Sequence, residues 1–365
     1  MKVCHLTTVH SCNDVRIFEK ECVSLAKAGF DVTLLVVNQQ SKNEKGVKVV
    51  NVDCAFTSRL SRLFKAANAL YNKAIEVDAD VYHFHDPELL TIALKLKRKN
   101  KIVIYDAHED VPRQILGKYW IPKILRSSIS YLFEKYENRI ALRLDAIVAA
   151  TPFISDRFSK VNTNSIDINN FPIVQEVLLA NSTSVGNKVC YVGGISSYRG
   201  ITNLVNAIDK TEDVKLILAG AFSPLEYEKE LSQLSGWTKV ENRGFVSRTG
   251  VYEIMNESFA GVVTLMPLPN YLDSLPIKMF EYMNAGIAVI ASDFLLWKEI
   301  VEGNNCGICV DAQNPQAIAD AIIHLKNNRE QALLMGANGK KAIDSKYNWK
   351  VEENKLLNLY KQFKS

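Results

Sequence analysis

A glycine pair and an arginine lie close together in Tyr191–Gly200, which reads YVGGISSYRG. A short apolar run ends at Val192, the pair Gly193 and Gly194 follows, and a helix is predicted to begin near Arg199. Glycines let backbone amides approach an anion, and a helix N-terminus adds partial positive charge. Arg199 adds forked donors that suit phosphate. The segment indicates either a phosphate-binding loop or an ordinary strand-to-helix turn with an exposed arginine.

A second polar cluster follows a later apolar run, in Met266–Gly286. A proline-rich loop carries Asp273 and Ser274, and a helix is predicted to follow it. Lys278 and Glu281 are three residues apart, so on a helix they share one face. Lys278 could meet an anion at the helix start while Glu281 accepts hydrogen bonds from sugar hydroxyls. The alternative is a surface salt bridge between Lys278 and Glu281.

Histidines cluster in the first half of the chain. His83 and His85 alternate on one predicted strand and therefore point to the same face, while His5 lies in the first predicted strand. We expect these three to serve structural roles. A zinc site formed by His83, His85 and His108 is the alternative.

Two further features of the sequence allow alternative interpretations. Asp14 is predicted to cap the helix that follows it, and Arg16 reaches either a ligand or solvent. Cys306 and Cys309 have the spacing of metal ligands, but no second pair accompanies them.

The length of 365 residues predicts two domains. The apolar share of 47% excludes disorder, and the seven irregularly spaced cysteines do not form the pattern of a disulfide scaffold. The formal charge of +4 is too small for a dedicated nucleic-acid binder, so we expect no nucleic-acid partner. Residues 1–170 carry 25 Lys and Arg against 19 Asp and Glu, whereas residues 171–365 carry 19 against 21. The positive charge therefore lies in the first half.

Short β-rich runs alternate with amphipathic stretches along the whole chain, which predicts parallel sheets covered by helices. The predicted strands are Val3–Val9, Asp31–Val37, Lys48–Val52, Asp80–His85, Lys101–Tyr105, Ala146–Ala150, Ser165–Ile168, Val189–Val192, Val214–Ala219, Val240–Phe245, Gly261–Met266, Ala288–Ala291 and Gly307–Val310. The polar segment 181–187 marks the boundary between domains at 1–172 and 186–347. We expect the last helix, within 348–365, to cross back onto the first domain.

In open parallel sheets, ligands bind beyond the carboxyl ends of the strands at the point where the strand order reverses. We therefore expect an α/β protein with two doubly wound, Rossmann-like domains that face a central cleft.

Several of these motifs resemble glycosyltransferase family 4. The most specific is the stretch Leu275–Gly286, followed by Val289–Asp293. Its Glu281 forms an acidic-x7-acidic pair with Asp273, which lies just before the stretch. The other matching segments are His10–Lys20, Ser24–Val32, Tyr105–Asp110, Tyr191–Gly200 and Gly244–Val246. The resemblance extends over essentially the whole chain, and the front segments His10–Lys20 and Ser24–Val32 resemble members that build bacterial surface polysaccharides.

This resemblance implies the GT-B fold and the transfer of a sugar from a UDP- or GDP-sugar, with retention of configuration and without a metal or other cofactor. It makes the second domain the donor domain and the first the acceptor domain. The residues that it implicates in catalysis are Arg199, Lys278, His108 and Asp273. Those that it implicates in substrate binding are His10, Arg16, Gly193, Gly194, Phe245, Ser274, Leu275 and Glu281.

The sequence departs from the family pattern at two positions. Asp273 stands where the family usually has Glu, and Gly194 stands where it often has the first of two cations. A nucleotide-sugar-binding pseudoenzyme or partner subunit is therefore the alternative from another class. A GT-B nucleotide-sugar epimerase is a third candidate, although such an enzyme should lack the Leu275–Gly286 stretch.

Two basic amphipathic segments suggest contact with an anionic membrane. Residues 57–74 contain Arg59, Arg62 and Lys65 beside apolar residues at helical spacing, and Lys118–Arg126 adds Trp120. The alternative is that these apolar faces pack in the domain core.

The polar start and the lack of an apolar run of about 18 residues predict a cytoplasmic protein. A glycan or polyprenyl-diphosphate-linked acceptor would place it at the inner face of the membrane.

Overall fold

The computed structural model describes residues 1–56, 58–118, 120–174 and 186–364, and for residues 59, 60, 62 and 63 it describes the backbone alone. Most of the predicted boundary segment 181–187 lies outside the described residues. The chain divides into unit 1, Met1–Asn170 with Trp349–Ser365, and unit 2, Phe171–Asn348.

Unit 1 is built on one eight-stranded sheet. Its strands are β1 (Lys2–Leu6), β2 (Asp31–Val37), β3 (Lys42–Glu44), β4 (Val47–Val52), β5 (Val81–Phe84), β6 (Ile102–Ala107), β7 (Ala146–Ala149) and β8 (Ser165–Asp167). Its helices are α1 (Val23–Lys27), α2 (Arg59–Val77), α3 (Leu90–Lys97), α4 (Val111–Gly117), α5 (Lys123–Ala141), α6 (Pro152–Ser159) and, from the end of the chain, α14 (Trp349–Lys361). A π-helical segment, Val15–Cys22, precedes α1, and a short 3₁₀ helix spans Pro87–Leu89.

The strand order in unit 1 is β3-β4-β2-β1-β5-β6-β7-β8, and all neighbours are parallel except β3 and β4. The order reverses between β1 and β5, so the loops after these strands meet at the carboxyl edge. Apolar side chains pack against both faces of the sheet. On one of them lies α14, whose Leu356, Leu359 and Tyr360 are buried with Phe18 and Phe30.

Unit 2 is built on a six-stranded, wholly parallel sheet. Its strands are β9 (Lys188–Val192), β10 (Lys215–Ala219), β11 (Val240–Gly244), β12 (Ala260–Val263), β13 (Ala288–Ser292) and β14 (Gly307–Val310). Its helices are α7 (Ile201–Asp209), α8 (Tyr227–Ser232), α9 (Arg248–Asn256), α10 (Ile277–Asn284), α11 (Leu295–Val301), α12 (Pro315–Asn327) and α13 (Arg329–Ser345). Short 3₁₀ helices span Ser197–Arg199 and Ser235–Lys239.

The strand order β11-β10-β9-β12-β13-β14 is the 3-2-1-4-5-6 arrangement of a Rossmann fold. The order reverses between β9 and β12, and the two loops predicted to carry the chemistry follow these strands. The prediction of two Rossmann-like, doubly wound parallel sheets is confirmed.

Two local features differ from the prediction. Strand β3 was missed because it is only three polar residues long, joined to β4 by a tight turn with positive φ at Lys45 and Gly46. The segment after Asp14 is π-helical before it becomes α-helical at Val23. The predicted cap is confirmed, because the Asp14 carboxylate accepts hydrogen bonds from the amides of Arg16 and Ile17.

Candidate functional site

The glycine loop after β9 is held open by close backbone packing. Gly193 has φ +127°, and a Cβ on Gly220 would lie 1.9 Å from the Gly193 carbonyl oxygen. A Cβ on Gly200 would lie 1.9 Å from the Thr264 carbonyl oxygen in the loop after β12. These glycines allow the ends of neighbouring strands to approach each other. Because they have no side chains, the backbone groups of the loop are left uncovered.

Lys278 lies directly beneath this loop. Its side chain is 7% exposed, and a Cβ on Gly193 would lie 3.0 Å from Lys278 Nζ. The ammonium lies 3.7 Å from the centre of the Tyr191 ring and has no hydrogen-bond partner within the described residues. Burial, and then the nearby charge of Arg199, lower the Lys278 pKa well below its usual value. An ammonium that is buried without an anion is unfavourable, so this position favours the binding of an anion next to Lys278.

Arg199 lies on the other side of the glycine pair. A Cβ on Gly194 would lie 3.6 Å from Arg199 Nε. The Gly194 carbonyl oxygen accepts a hydrogen bond of 2.8 Å from the Tyr191 hydroxyl. The loop therefore places two cations, Lys278 and Arg199, against the same pair of glycines.

The loop before α10 is anchored from below. The Trp297 indole donates a 2.7 Å hydrogen bond to the Ser274 carbonyl oxygen, and Leu275 packs against the apolar core. The Ser274 hydroxyl donates to the Tyr271 carbonyl oxygen. Asp273 is half-buried in the same loop. Asp273 and Ser274 therefore lie beside the start of α10, one turn before Lys278.

Glu281 does not pair with Lys278, so the predicted surface salt bridge is wrong. Arg248 Nη1, at the start of α9, lies 2.6 Å from Glu281 Oε1 instead, because Lys278 turns inward under the glycine loop. Phe245 follows Gly244, which has φ +61°, and its ring is 89% exposed. Phe245 lies three residues before Arg248, and Arg248 pairs with Glu281 of α10.

In unit 1, His10 lies at the carboxyl edge where the strand order reverses. Its Nδ1 is 3.5 Å from Asp14 Oδ2, and its Nε2 is 3.4 Å from Asp86 Oδ1. Its ring centre lies 4.9 Å from that of His108. Burial acts to lower the His10 pKa, but the hydrogen bond to Asp14 and the charges of Asp86 and Asp14 outweigh it and raise the pKa. The structure thus brings His10 and His108 together.

Arg16 reaches neither solvent nor an open surface, so the prediction that it contacts a ligand or solvent is wrong. Its guanidinium is buried and donates to Asp106 Oδ2 at 3.0 Å, to Asp106 Oδ1 at 2.8 Å and to the Ile168 carbonyl oxygen at 2.6 Å. Arg16 Nε also lies 3.2 Å from Glu21 Oε1. Arg16 is therefore the counter-ion of two buried carboxyl groups.

Comparison with known structures and families identifies the fold and the class of protein. A sucrose-phosphate synthase from Thermosynechococcus elongatus superimposes with a TM-score of 0.79 at 16% identity, over 99% of this chain and 98% of that one. Anabaena HepE in complex with UDP-glucose superimposes with a TM-score of 0.75 at 15% identity, over 99% of this chain and 100% of that one. Residues 180–342 match the glycosyl transferases group 1 family, and residues 19–168 match Glycosyltransferase Family 4. The chain is a glycosyltransferase of the GT-B fold, similar to family 4.

Curated relatives of this glycosyltransferase are distant in sequence. An uncharacterized glycosyltransferase of Methanocaldococcus jannaschii, MJ1069, is 24% identical over 294 residues, which are 73% of this chain and 70% of that protein. The alpha-galactosylglucosyldiacylglycerol synthase of Streptococcus pneumoniae is 26% identical over 297 residues, which are 74% of this chain and 75% of that protein.

One group of side chains in the glycosyltransferase has the composition of a metal site. Ligand atoms of Glu21, His83, His85 and Asp106 lie within 4.8 Å of one another, and all four residues are buried. His108 is not part of this group, so the predicted trio of histidines is not assembled as a set. The guanidinium of Arg16 contacts both carboxyl groups, and a permanent cation there opposes the binding of a dication.

Within the part of the chain that the structure describes, the paired cysteines of the glycosyltransferase belong to no group of three or more potential metal ligands. The buried Cys306 thiol points to the Val301 and Ile300 carbonyl oxygens, and Cys309 lies on β14 with its own pKa raised by burial. A buried thiol with a raised pKa is the protonated, structural form rather than the thiolate that binds metal.

Three residues of the candidate site were missed from the sequence. Arg248 follows the helix cap Ser247, in a segment with no motif of its own. Asp106 lies two residues before His108 on β6, so strand alternation alone places both on one face. Glu21 is surrounded by other charged residues in the sequence, and its burial depends on the π-helical turn.

Proposed function

We propose that the protein transfers a glycosyl group from a UDP- or GDP-sugar to a glycan or lipid-linked acceptor, with retention of the anomeric configuration and without a metal. The observation that carries the proposal is the buried Lys278 ammonium under Gly193. It has no hydrogen-bond partner within the described residues, and Arg199 lies beside the adjoining glycine. The diphosphate of a nucleotide sugar supplies the missing anion.

The same groups account for catalysis. Breaking the glycosidic bond increases the negative charge on the leaving diphosphate. Preorganised cations that meet this charge stabilise the transition state, and each contributes a few kcal/mol. In this role Lys278 and Arg199 supply the positive charge that a metal ion provides in other transferases, and the start of α10 adds its partial charge.

The remaining residues of unit 2 fit the nucleoside and the sugar. Glu281 accepts hydrogen bonds from ribose hydroxyls once Arg248 yields one carboxylate oxygen. The exposed Phe245 ring offers a face for the base. Asp273, Ser274 and Leu275 contact the donor sugar or its phosphates. Anabaena HepE, solved with UDP-glucose, supports a nucleotide-sugar donor for this fold.

A panel of nucleotide sugars, each with and without lipid-linked acceptors, tests the activity. Release of UDP or GDP with at least one combination is expected, and the product should keep the donor's anomeric configuration by NMR. Binding without turnover in every combination would instead favour a nucleotide-sugar-binding pseudoenzyme, the alternative suggested by Gly194 in the place of a cation. Absence of both binding and release would overturn the proposal.

Replacing Glu281 with Ala should weaken binding of UDP about 10- to 100-fold, because a charged hydrogen-bond acceptor for the ribose is lost. Calorimetric titration of UDP measures this affinity. Glu253→Ala, an exposed glutamate on α9, is the matched control and should bind UDP like the wild type. Unchanged affinity in Glu281→Ala would show that the ribose lies elsewhere.

The acceptor side is proposed to face a lipid surface through α5. The α5 surface consists of exposed apolar side chains and nearby cations, namely Trp120, Ile124, Leu125, Ile129, Tyr131, Leu132 and Tyr136 with Lys118, Lys123 and Lys135. Residues 118–135 carry four Lys and Arg against one Glu. Exposed aromatic and aliphatic side chains among cations suit an anionic bilayer. A lipid-linked acceptor makes such contact useful, and the Streptococcus pneumoniae relative is named as a synthase of a glycosylated diacylglycerol.

The other predicted membrane segment, residues 57–74, packs partly in the core. In α2, the residues Ala66, Ala67, Leu70 and Ala74 are buried in the core, so the alternative of core packing is correct for them. The side chains of Arg59 and Arg62 lie outside the described residues. Among the helices that the structure describes, none has the length and hydropathy needed to cross a membrane.

A double variant, Ile124→Ser with Leu132→Ser, tests the α5 surface. Its binding to vesicles that contain anionic phosphatidylglycerol should fall at least about 10-fold, because each buried aliphatic side chain contributes about 1.5–3 kcal/mol. Co-sedimentation measures the bound fraction. Leu333→Ser with Leu334→Ser, an exposed pair on α13, is the matched control. Equal binding by both double variants, or no weakening by added salt, would contradict membrane docking through α5.

A further inference from the structure

A continuous row of hydrogen bonds runs through the interior of unit 1. It contains four histidines, one tyrosine from the C-terminal helix and one aspartate, in the order His83, Tyr360, His5, His85, Asp106 and His108. All of these except His108 are buried. The proposed function described above assigns a role to none of them.

The first part of the row passes from the C-terminal helix into the sheet. His83 Nδ1 lies 2.9 Å from the Tyr360 hydroxyl, which lies 3.4 Å from His5 Nε2. His5 Nδ1 lies 2.8 Å from His85 Nε2. The three rings of His5, His83 and His85 stack or tilt against one another with centres 4.7–5.1 Å apart.

The second part of the row ends at His108. Asp106 Oδ2 lies 3.1 Å from His85 Nδ1 and 2.9 Å from His108 Nε2. Arg16 donates to both oxygens of the same carboxylate. Burial acts to raise the Asp106 pKa, but the charge of Arg16 outweighs it and holds the pKa well below its usual range. Asp106 is therefore ionised and can only accept hydrogen bonds.

An ionised Asp106 determines the proton positions of both neighbours. His85 Nδ1 and His108 Nε2 lie 3.1 Å from each other as well as close to Asp106 Oδ2. A lone pair on either nitrogen would face the carboxylate charge at about 3 Å, which is repulsive, whereas an N–H group donates a charge-assisted hydrogen bond to it. Both nitrogens therefore carry protons, and both N–H groups donate to the carboxylate rather than to each other. Burial lowers the pKa of His85 to about 4, so its ring is neutral and its Nε2 is an acceptor. His5 Nδ1 must then be the donor to His85.

The same reasoning continues to the end of the row. With its proton on Nδ1, His5 accepts at Nε2 from the Tyr360 hydroxyl, and the Tyr360 oxygen accepts from His83 Nδ1. His83 Nε2 remains as an acceptor. It and both Glu21 oxygens have no hydrogen-bond partner within the described residues. Burial, and then the charge of Asp106, raise the Glu21 pKa, and a Glu21 carboxyl oxygen lies within 4.8 Å of a His83 ring nitrogen.

We propose that this row fixes the tautomer of His108, with the proton on Nε2, and so presents Nδ1 as an acceptor for a substrate hydroxyl. Asp106 is the positioning residue, and Tyr360 connects the C-terminal helix α14 to the row. The His108 side chain is partly exposed, and its Nδ1 makes no hydrogen bond to the described residues. The role of the hydroxyl rests on the proposed function, whereas the proton positions do not.

Nitrogen-15 NMR of the full chain with labelled histidines tests the row, because protonated and bare ring nitrogens have separate shifts. At about pH 8, the wild type should show the proton on Nε2 of His108 and on Nδ1 of His5, His83 and His85. Tyr360→Phe should shift the signals of His5 and His83. Tyr105→Phe, which removes a buried hydroxyl bonded to Glu137, is the matched control and should leave them unchanged.

Activity provides a second readout. Asp106→Asn should allow the other tautomer at His108 and lower kcat about 10- to 100-fold, the loss expected when one hydrogen bond to the substrate hydroxyl is removed from a partly buried site. The KM for the donor should change less, because the diphosphate contacts lie in unit 2. If the variant does not fold, the wild-type and Tyr360→Phe spectra still decide the proton positions.

Three results would overturn the proposal. They are a proton on His108 Nδ1 in the wild type, unchanged His5 and His83 signals in Tyr360→Phe, or shifts of His83 and His85 on adding one equivalent of Zn²⁺. The last would make the group a metal site. Failure of the proposed function can be distinguished from failure of this proposal. In that case the spectra would show the protons on the nitrogens given above, but no nucleotide sugar would be turned over.

Discussion

A Lys278→Met variant should lose about 10²- to 10³-fold in kcat with nucleotide sugars and yet be more stable than the wild type. The loss follows because a cation that meets the charge of the leaving diphosphate in a buried site contributes about 3–4 kcal/mol to transition-state stabilisation. Methionine keeps the length and the packing of the side chain under Gly193, so the fold should be retained. Initial rates of nucleotide release measure the effect.

The gain in stability has the opposite physical origin. Burial and the charge of Arg199 lower the Lys278 pKa, so the folded state disfavours the charged form that the unfolded chain carries below 10.5. Replacing a buried, unpaired charge by an apolar side chain should raise the free energy of unfolding by about 1–4 kcal/mol. The free-energy cost of burying the Lys278 charge decreases as the pH rises toward 10.5. The extra free energy of unfolding of Lys278→Met over the wild type should therefore be smaller at pH 10 than at pH 7. Thermal unfolding at both pH values measures it.

Lys229→Met, at an exposed lysine on α8, is the matched control for Lys278→Met. It should change neither kcat nor the melting temperature appreciably. A Lys278→Met variant that is less stable than the wild type and fully active would show that the ammonium has a partner in the protein and no part in donor binding.

Arg16→Met should destabilise the protein by about 3–5 kcal/mol, the largest stability effect that we expect of one substitution here. The change leaves the ionised Asp106 buried without its counter-ion, and removing one partner of a buried ion pair exposes the full desolvation penalty of the other. Urea unfolding measures the loss. Adding Asp106→Asn should recover much of it, because the uncompensated charge is then gone.

The pH dependence of this effect follows from the Asp106 carboxyl. Its pKa is lowered in the folded state, so its pairing stabilises the protein above about pH 4 and this contribution is lost as the pH falls further. In Arg16→Met the Asp106 carboxyl loses the charge that lowers its pKa, while burial still raises it, so protonation relieves the variant first. The difference in the free energy of unfolding between the wild type and Arg16→Met should therefore shrink as the pH falls. Lys45→Met, which breaks an exposed pair with Glu19, should cost less than about 1 kcal/mol at any pH. An equally small effect of Arg16→Met would contradict a buried ion pair.

The architecture could be predicted because it follows from local patterns. Short β-rich runs separated by amphipathic helices, with glycines at the ends of strands, predict parallel sheets whatever the contacts between them. Strand β2 (Asp31–Val37) and strand β14 (Gly307–Val310) begin and end at the predicted residues, because each is an apolar run bounded by polar or turn residues. The polar hairpin strand β3 lacked such a run and was missed.

The two loops proposed to bind the donor could be identified from the sequence, but the contacts between them could not be predicted. The motifs around Gly193 and Lys278 were identified 85 positions apart, whereas the contact between them depends on β9 and β12 being neighbours in the sheet. The spacing of Lys278 and Glu281 was compatible with a surface pair. The tertiary structure turns Lys278 inward and gives Glu281 to Arg248, because the first turn of α10 lies under the glycine loop.

The types and local order of the residues were sufficient for the two sheets, the cap at Asp14 and the segments that carry Lys278, Arg199 and His108. Which charges are buried together was decided by the fold. Arg16 and Glu21 lie on one π-helical segment, whereas Asp106 comes from β6, 90 positions after Arg16. The row from Tyr360 to His108 likewise requires the last helix to pack beside the first strand. Hydrogen-bond partners and pKa shifts depend on the distances between side chains and on their burial in the folded protein. The spacing of residues along the sequence determines neither the distances nor the burial.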